Sequence, residues 1–374
     1  MKKYQKIALA VTIIILTYVL WRYFKRRQDV SRLCNKLHLE GIKYKPKCNN
    51  PACINNHIDN IEGFGTPEAE LESVKSTDTN TITSIGSEYT YRPLKDYVIK
   101  SSYNSAVTGD NVNVEMITYL LSRGCRLLDF EILNIDNKPF VTYTTNPELT
   151  TINTENKVLL DNVLATAVSQ AFTQPCPNYE DPLFIHLRIK ANGNAELYKY
   201  VAKSIYATLK AKLYQAKITS DTKMADVMGK VVIIMDKSIN RNYKTESACK
   251  PGEKECYNLS KGVNLESSSD NLYNNTYSDV LGQSFEIVNI LNNCSICTDV
   301  AHYRLVLPDI VNNASNPDVY ELIGRHGCQL VTNRFYVKDS NLEKYEKLFH
   351  DNKAGIIPLA HVVDYIKKQP TSPK

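Results

Sequence analysis

Two stretches decide the fold: Cys125–Leu133, CRLLDFEIL, and Pro182–Lys190, PLFIHLRIK. Each has strand length, and each ends with charges at every second position while the residues between those are apolar. Successive side chains of a strand point to opposite faces, so Asp129 and Glu131 share one face of the first. His186, Arg188 and Lys190 share one face of the second. Residues 159–172 between them repeat Leu160, Leu164, Val168 and Phe172 every four positions, which predicts an amphipathic helix. Residues 195–214 do the same with Leu197, Val201, Ile205, Leu209 and Leu213, and shorter helices are expected at 111–123 and 341–351. Further strands are expected at Tyr97–Ser102, Pro139–Tyr143, Lys230–Asp236, His302–Leu307 and Cys328–Tyr336. Strand and helix alternating over about 270 residues imply a parallel sheet with helical crossovers, and at that length a closed (β/α)8 TIM-type barrel. No GxGxxG follows the first strand, against a dinucleotide fold. In a barrel the chemistry sits at the C-terminal ends of the strands, where both charged faces emerge.

The chain has 374 residues, 43% hydrophobic and 23% charged, as a folded globular protein does. Its formal charge of +5 is modest and partly concentrated near the N-terminus, which argues against a nucleic-acid partner. No Gly-rich phosphate loop, RNA-binding signature or zinc-finger spacing is present.

Ile7–Trp21, IALAVTIIILTYVLW, carries no charge. The run is shorter than the roughly 20 residues that span a bilayer, but Lys6, Arg22 and Lys25 can snorkel from its ends. Trp21, Tyr23 and Phe24 suit an interfacial belt, and WRYFKRR follows where a cleavage site would stand. The expected organisation is a single-pass membrane anchor with basic flanks over 1–27, a spacer and polar linker over 28–91, a barrel over 92–367 and a tail over 368–374. A polar, loop-like insertion over 238–283 is expected to offer a contact surface. The larger basic cluster follows the anchor and favours the cytoplasmic side for the barrel. The cysteines pull the other way: Cys249 and Cys256 bracket a short polar loop, and Cys294 and Cys297 form a CxxC pair. Either could be a disulfide in an oxidising compartment. Free thiols are the expectation that agrees with the basic flank.

Pro93–Asp110, PLKDYVIKSSYNSAVTGD, resembles the opening of the X region of phosphoinositide-specific phospholipase C, as do Ser122–Ile132, SRGCRLLDFEI, and Lys138–Tyr143. His326–Tyr336, HGCQLVTNRFY, and Phe349–Leu359, FHDNKAGIIPL, resemble the close of its Y region. The resemblance runs over about residues 92–366. It implies a distorted β/α barrel of the PLC-like phosphodiesterase kind that cleaves inositol phospholipids with calcium and two histidines. One histidine acts as base on the inositol hydroxyl and the other as acid on the leaving group, while calcium offsets phosphate charge.

Carried over by position, the pattern breaks at the chemistry. The first histidine falls on Tyr103 and the second on Tyr143, or on Thr145 if the alignment slips. The calcium ligands fall on Asn104, Asp129 and Glu131, but the third carboxylate falls on Arg188. A phosphate-binding lysine pair falls on Ile234 and Asp236, and the substrate arginine on Arg304. The resemblance thus implies a catalytically inactive barrel that binds a protein partner or a phospholipid headgroup. Its calcium site is degenerate, with Arg188 filling the ion's place and no cofactor. The alternative is an active phosphoric diester hydrolase with rearranged groups, in which calcium would be needed and His186 is the best catalytic candidate. His186 equally suits a satisfied histidine of the barrel core. A third reading is a structural protein that displays the 238–283 segment.

Overall fold

The structure, a computed structural model, describes residues 66–76, 80–146, 151–253, 255–282, 289–290, 298–300, 302–309 and 315–369. The expected anchor over 1–27 and the spacer up to residue 63 lie outside the described residues. Among the described residues no helix is long and apolar enough to cross a membrane.

Eight parallel strands form the barrel: β1 (Ser101–Ser102), β2 (Leu127–Ile135), β3 (Leu183–Lys190), β4 (Val231–Asp236), β5 (Leu265–Ser267), β6 (Tyr273–Thr276), β7 (Arg304–Leu307) and β8 (Leu330–Asn333). Each pairs with the next in sequence except β5 with β6, and β8 pairs with β1. The barrel is therefore nearly closed, with its one seam between β5 and β6. The helices are α1 (Pro67–Val74), α2 (Glu115–Ser122), α3 (Leu160–Ala171), α4 (Glu196–Leu209), α5 (Ser340–Asp351) and α6 (Leu359–Lys368).

The register explains where the site forms. Leu127, Asp129 and Glu131 alternate on β2, and they lie beside Phe184, His186 and Arg188 of β3. Leu127 and Phe184 belong to an apolar cluster with Val232, Ile234, Leu265, Leu305 and Leu330, one contribution from each of several strands. That cluster fills the N-terminal end of the barrel. Two residues further along, the same stripe turns charged. The opposite faces, Leu128, Phe130 and Ile132 with Ile185, Leu187 and Ile189, pack in the second cluster with Leu160, Leu164, Val201 and Ile205 of α3 and α4. These ten buried side chains, at about 1.5–3 kcal/mol each, dominate the stability of this wall.

Several expectations need correction. The polar linker is partly packed: α1 buries Leu71 and Val74, and Ile82 and Ile85 are buried beyond it. The expected 238–283 insertion contains β5 and β6, so it is part of the barrel and not an appendage. Tyr97–Ile99 pairs antiparallel with Ile356–Pro358, outside the barrel, and Lys138–Val141 is a hairpin arm on β2. Cys249 and Cys256 form a disulfide, against the expected free thiols. Their backbones are 5.7 Å apart at Cα, within bonding range. Cys294 and Cys297 lie outside the described residues.

Below the apolar layer lies a buried polar knot. Arg126 donates to the carbonyls of Ala171 and Asn178 and to Asn178 Oδ1. Asn178 in turn donates to Asp181, which also accepts the Ile85 N–H at 2.9 Å. Gly355 must be glycine here, because a Cβ would collide with the Gly124 carbonyl and the Asn178 amide. Burial pushes the Asp181 carboxyl up to about 6, with Arg126 and its hydrogen bonds opposing. The native state thus holds this proton more tightly than the unfolded chain, whose Asp titrates near about 3.9. Stability contributed at low pH is lost as pH rises through about 4 to 6. Relative to wild type, Asp181→Asn should gain on the order of 2 kcal/mol between pH 4 and pH 7. Urea denaturation at the two pH values measures this; a pH-independent difference would refute it.

Candidate functional site

The mouth at the C-terminal ends of β1, β2, β3 and β8 gathers most of the expected residues around one guanidinium. Arg188 Nε and Nη2 each lie 2.9 Å from an oxygen of Asp129. Its Nη1 meets Glu131 Oε2, and Nη2 donates to Asn104 Oδ1 at 2.5 Å. Lys190 holds the other Glu131 oxygen at 2.8 Å, where the Thr144 N–H also donates. Asn104 follows β1 in a left-handed turn with φ 46°, a conformation asparagine tolerates better than most residues. The turn aims its N–H at Asp129 Oδ2, 3.0 Å away.

Beneath this layer His186 is fully buried. Its Nδ1 lies 2.8 Å from Asp129 Oδ1 and its Nε2 3.1 Å from Ser267 Oγ at the end of β5. Burial would raise the Asp129 carboxyl, but the charge of Arg188 and the His186 hydrogen bond outweigh it and hold Asp129 well below the usual range.

Above the guanidinium, the Tyr103 ring lies 4.6 Å from Arg188 Cζ and 5.7 Å from Arg334 Cζ. Burial pushes the Tyr103 phenol up to about 12, with Asp129 and Glu131 adding to the rise and the two arginines opposing it. Tyr143 is half-buried at the rim, and burial followed by the Asp110 charge raises its phenol too. Tyr336, just after β8, is raised by burial as well.

Arg304 does not join the site. It opens β7 beside Tyr273, the first residue of β6, so it stands at the N-terminal end of the barrel, away from the mouth. The direction of the parallel strands decides this, whatever the local sequence. Arg334 is the arginine at the mouth. It is buried, it immediately follows β8, and it donates to the Asp309 carbonyl at 3.2 Å. Its place just after the strand end in HGCQLVTNRFY was the available signal. Ser267 and Lys190 also escaped sequence reasoning as partners. Ile234 belongs to the apolar interior, and Asp236 caps the Ser238 turn.

Asn104, Asp129 and Glu131 are the donors that the resemblance assigns to calcium. Both oxygens of each carboxylate and the Asn104 oxygen are already engaged by Arg188, Lys190 and their neighbours. Among the described residues no three His, Cys, Asp or Glu side chains are grouped to hold a metal. An arginine between the ligands supplies donors only and cannot coordinate an ion. The residues do not fit calcium.

The family model of the phosphatidylinositol-specific phospholipase C X domain matches residues 90–237. No curated protein matches the chain. Among solved structures, PLC21 of L. pealei superimposes with a TM-score of 0.52 at 15% identity, covering 75% of this chain and 38% of that one. PLC21 of S. officinalis gives 0.51 at 16%, covering 77% and 39%. A calcium-dependent phosphoinositol-specific phospholipase C of Pseudomonas sp. gives 0.45 at 10%, covering 75% and 100%. The chain spans less than two-fifths of either PLC21 chain. The chain thus carries a phosphatidylinositol-specific phospholipase C-like barrel fold, whose residues 90–237 match the X-domain model.

Proposed function

We propose that this is a membrane-anchored, catalytically inactive phospholipase C-like protein that binds a phospholipid headgroup or a partner protein. The observation that carries the reading is Tyr103, whose phenol stands at the mouth with its pKa pushed up to about 12. At neutral pH a phenol with such a value keeps its proton almost completely, so it offers no base to an inositol hydroxyl. The histidine of the site, His186, is buried with both ring nitrogens bonded. An active diester hydrolase with rearranged groups would have to work through Ser267, His186 and Asp129, and all three are fully buried. The Cys249–Cys256 bridge supports an oxidising compartment for the barrel, against the cytoplasmic side favoured by the basic flank.

The test is release of inositol phosphate from phosphatidylinositol and its bisphosphate in mixed micelles, with calcium and with chelator. Background rates are expected in both. Tyr103→His alone should not raise them, since Arg188 and the tyrosine at 143 remain. Robust calcium-dependent turnover by the unmodified protein would falsify the inactive reading.

A further inference from the structure

We infer that Arg188 is a built-in cation that makes the mouth independent of divalent metal, a step that rests on the proposed inactive barrel but can fail separately from it. Two carboxylates, Asp129 and Glu131, point from one strand into a space sealed from water. Left alone they would repel, and one would take up a proton. Here Arg188 and Lys190 supply two positive charges against the two negative ones. The guanidinium does what an ion would do at that point. It bridges Asp129, Glu131 and the Asn104 side-chain amide oxygen at once, tying β2 to the turn that follows β1.

Unlike an ion, it is attached to the chain and cannot be removed by a chelator. Its charge is also permanent: burial would lower its pKa, but Asp129 first and then its neighbours outweigh that and raise it further. Tyr103 completes the substitution. The guanidinium carbon lies 4.6 Å from the centre of its ring, a contact that a weakly hydrated cation welcomes and that a hydrated ion could not use in the same way. A calcium ion could enter only by expelling a side chain that makes five hydrogen bonds and a cation–π contact.

Two consequences can be measured on the full chain in detergent. The wild type should show the same melting temperature in chelator and in 10 mM calcium (about ten times a millimolar site's Kd). Arg188→Gln removes the charge and leaves two carboxylates and two amide oxygens facing one space. Its melting temperature should fall in chelator and rise by about 2–4 °C in the same calcium. Adding Glu131→Gln should abolish that rise. Arg188→Lys, which keeps the charge without the fork, should melt lower than wild type yet ignore calcium. It serves as the deciding variant if Arg188→Gln cannot be recovered. A calcium-dependent rise in wild type or in Arg188→Lys, or a calcium-blind Arg188→Gln, overturns the inference. Phospholipid turnover enters none of these readouts, so an active enzyme would refute the proposed function while leaving this test to stand or fall alone.

Discussion

Asp129→Ala should be among the most damaging single substitutions in the barrel, costing at least about 3–5 kcal/mol. Asp129 is fully buried and is the shared acceptor for four donors: two of Arg188, one of His186 and the Asn104 N–H. Truncation leaves a buried guanidinium with one carboxylate where it had two, and leaves His186 Nδ1 and a backbone amide without an acceptor. Each orphaned polar group adds about 1–3 kcal/mol of desolvation. Asp129→Asn keeps the volume and one acceptor oxygen, so it should lose less. The loss should also depend on pH in a definite sense. The folded carboxyl is held below its unfolded value, so its contribution is fully present above about pH 4 and disappears as pH falls through the folded pKa. Chemical denaturation at pH 7 decides the matter. An alanine variant within about 1 kcal/mol of wild type would mean that the network is ornamental.

Much of this network was legible because its charges sit at period two on otherwise apolar strands. Asp129, Glu131 and Arg188 could be assigned to one space from alternation and the end-of-strand rule, and the register pairs Glu131 directly with Arg188. What alternation could not supply was where each strand begins and ends. Arg304 and Arg334 each border a strand, but one opens β7 and the other follows β8. Because the strands run parallel, chain direction puts the first at the foot of the barrel and the second at the mouth once the strand bounds are known.

The strands β5 and β6 were missed for a different reason. Leu-Glu-Ser and Tyr-Asn-Asn-Thr carry almost no hydrophobic signal, and β6 is half-buried along its whole length. Among the described residues β6 pairs with β7 alone, in the register Arg304 to Tyr273 and Leu307 to Thr276. A strand beside an open seam needs no second apolar face, so its pattern resembles that of a loop. The Cys249–Cys256 bridge was open in the sequence because a spacing compatible with bonding does not fix the redox state.

Where α2 and α5 flank β1 on the outside of the barrel, Glu346→Ala should cost on the order of 3–5 kcal/mol, with no effect on the Arg188 network. Glu346 on α5 is shared by Lys100, which precedes β1, at 2.8 Å and by Arg123, which ends α2, at 2.6 Å. Lys100 is almost fully buried and lies 5.9 and 5.7 Å above the rings of Phe335 and Phe349. The next residue back on α5, Tyr345, bonds Ser101 of β1 and Val331 of β8, so this helix spans the pair of strands that closes the barrel. Removing Glu346 would leave two cations side by side, with the Arg123 carbonyl and the ring faces as the remaining support for Lys100. Burial alone would raise the Glu346 carboxyl, yet Lys100 and Arg123 outweigh it and lower its pKa, so the triad too loses its contribution as pH falls. Lys100→Met should be far milder, because Arg123 still satisfies Glu346 and an apolar chain suits the space between two phenylalanines. In thermal melts the alanine variant should drop by about 10 °C and the methionine variant by only a few. If Lys100→Met proves as costly as Glu346→Ala, the ion pair rather than the stranded charge is what α5 depends on, and the account of how the barrel is closed must change.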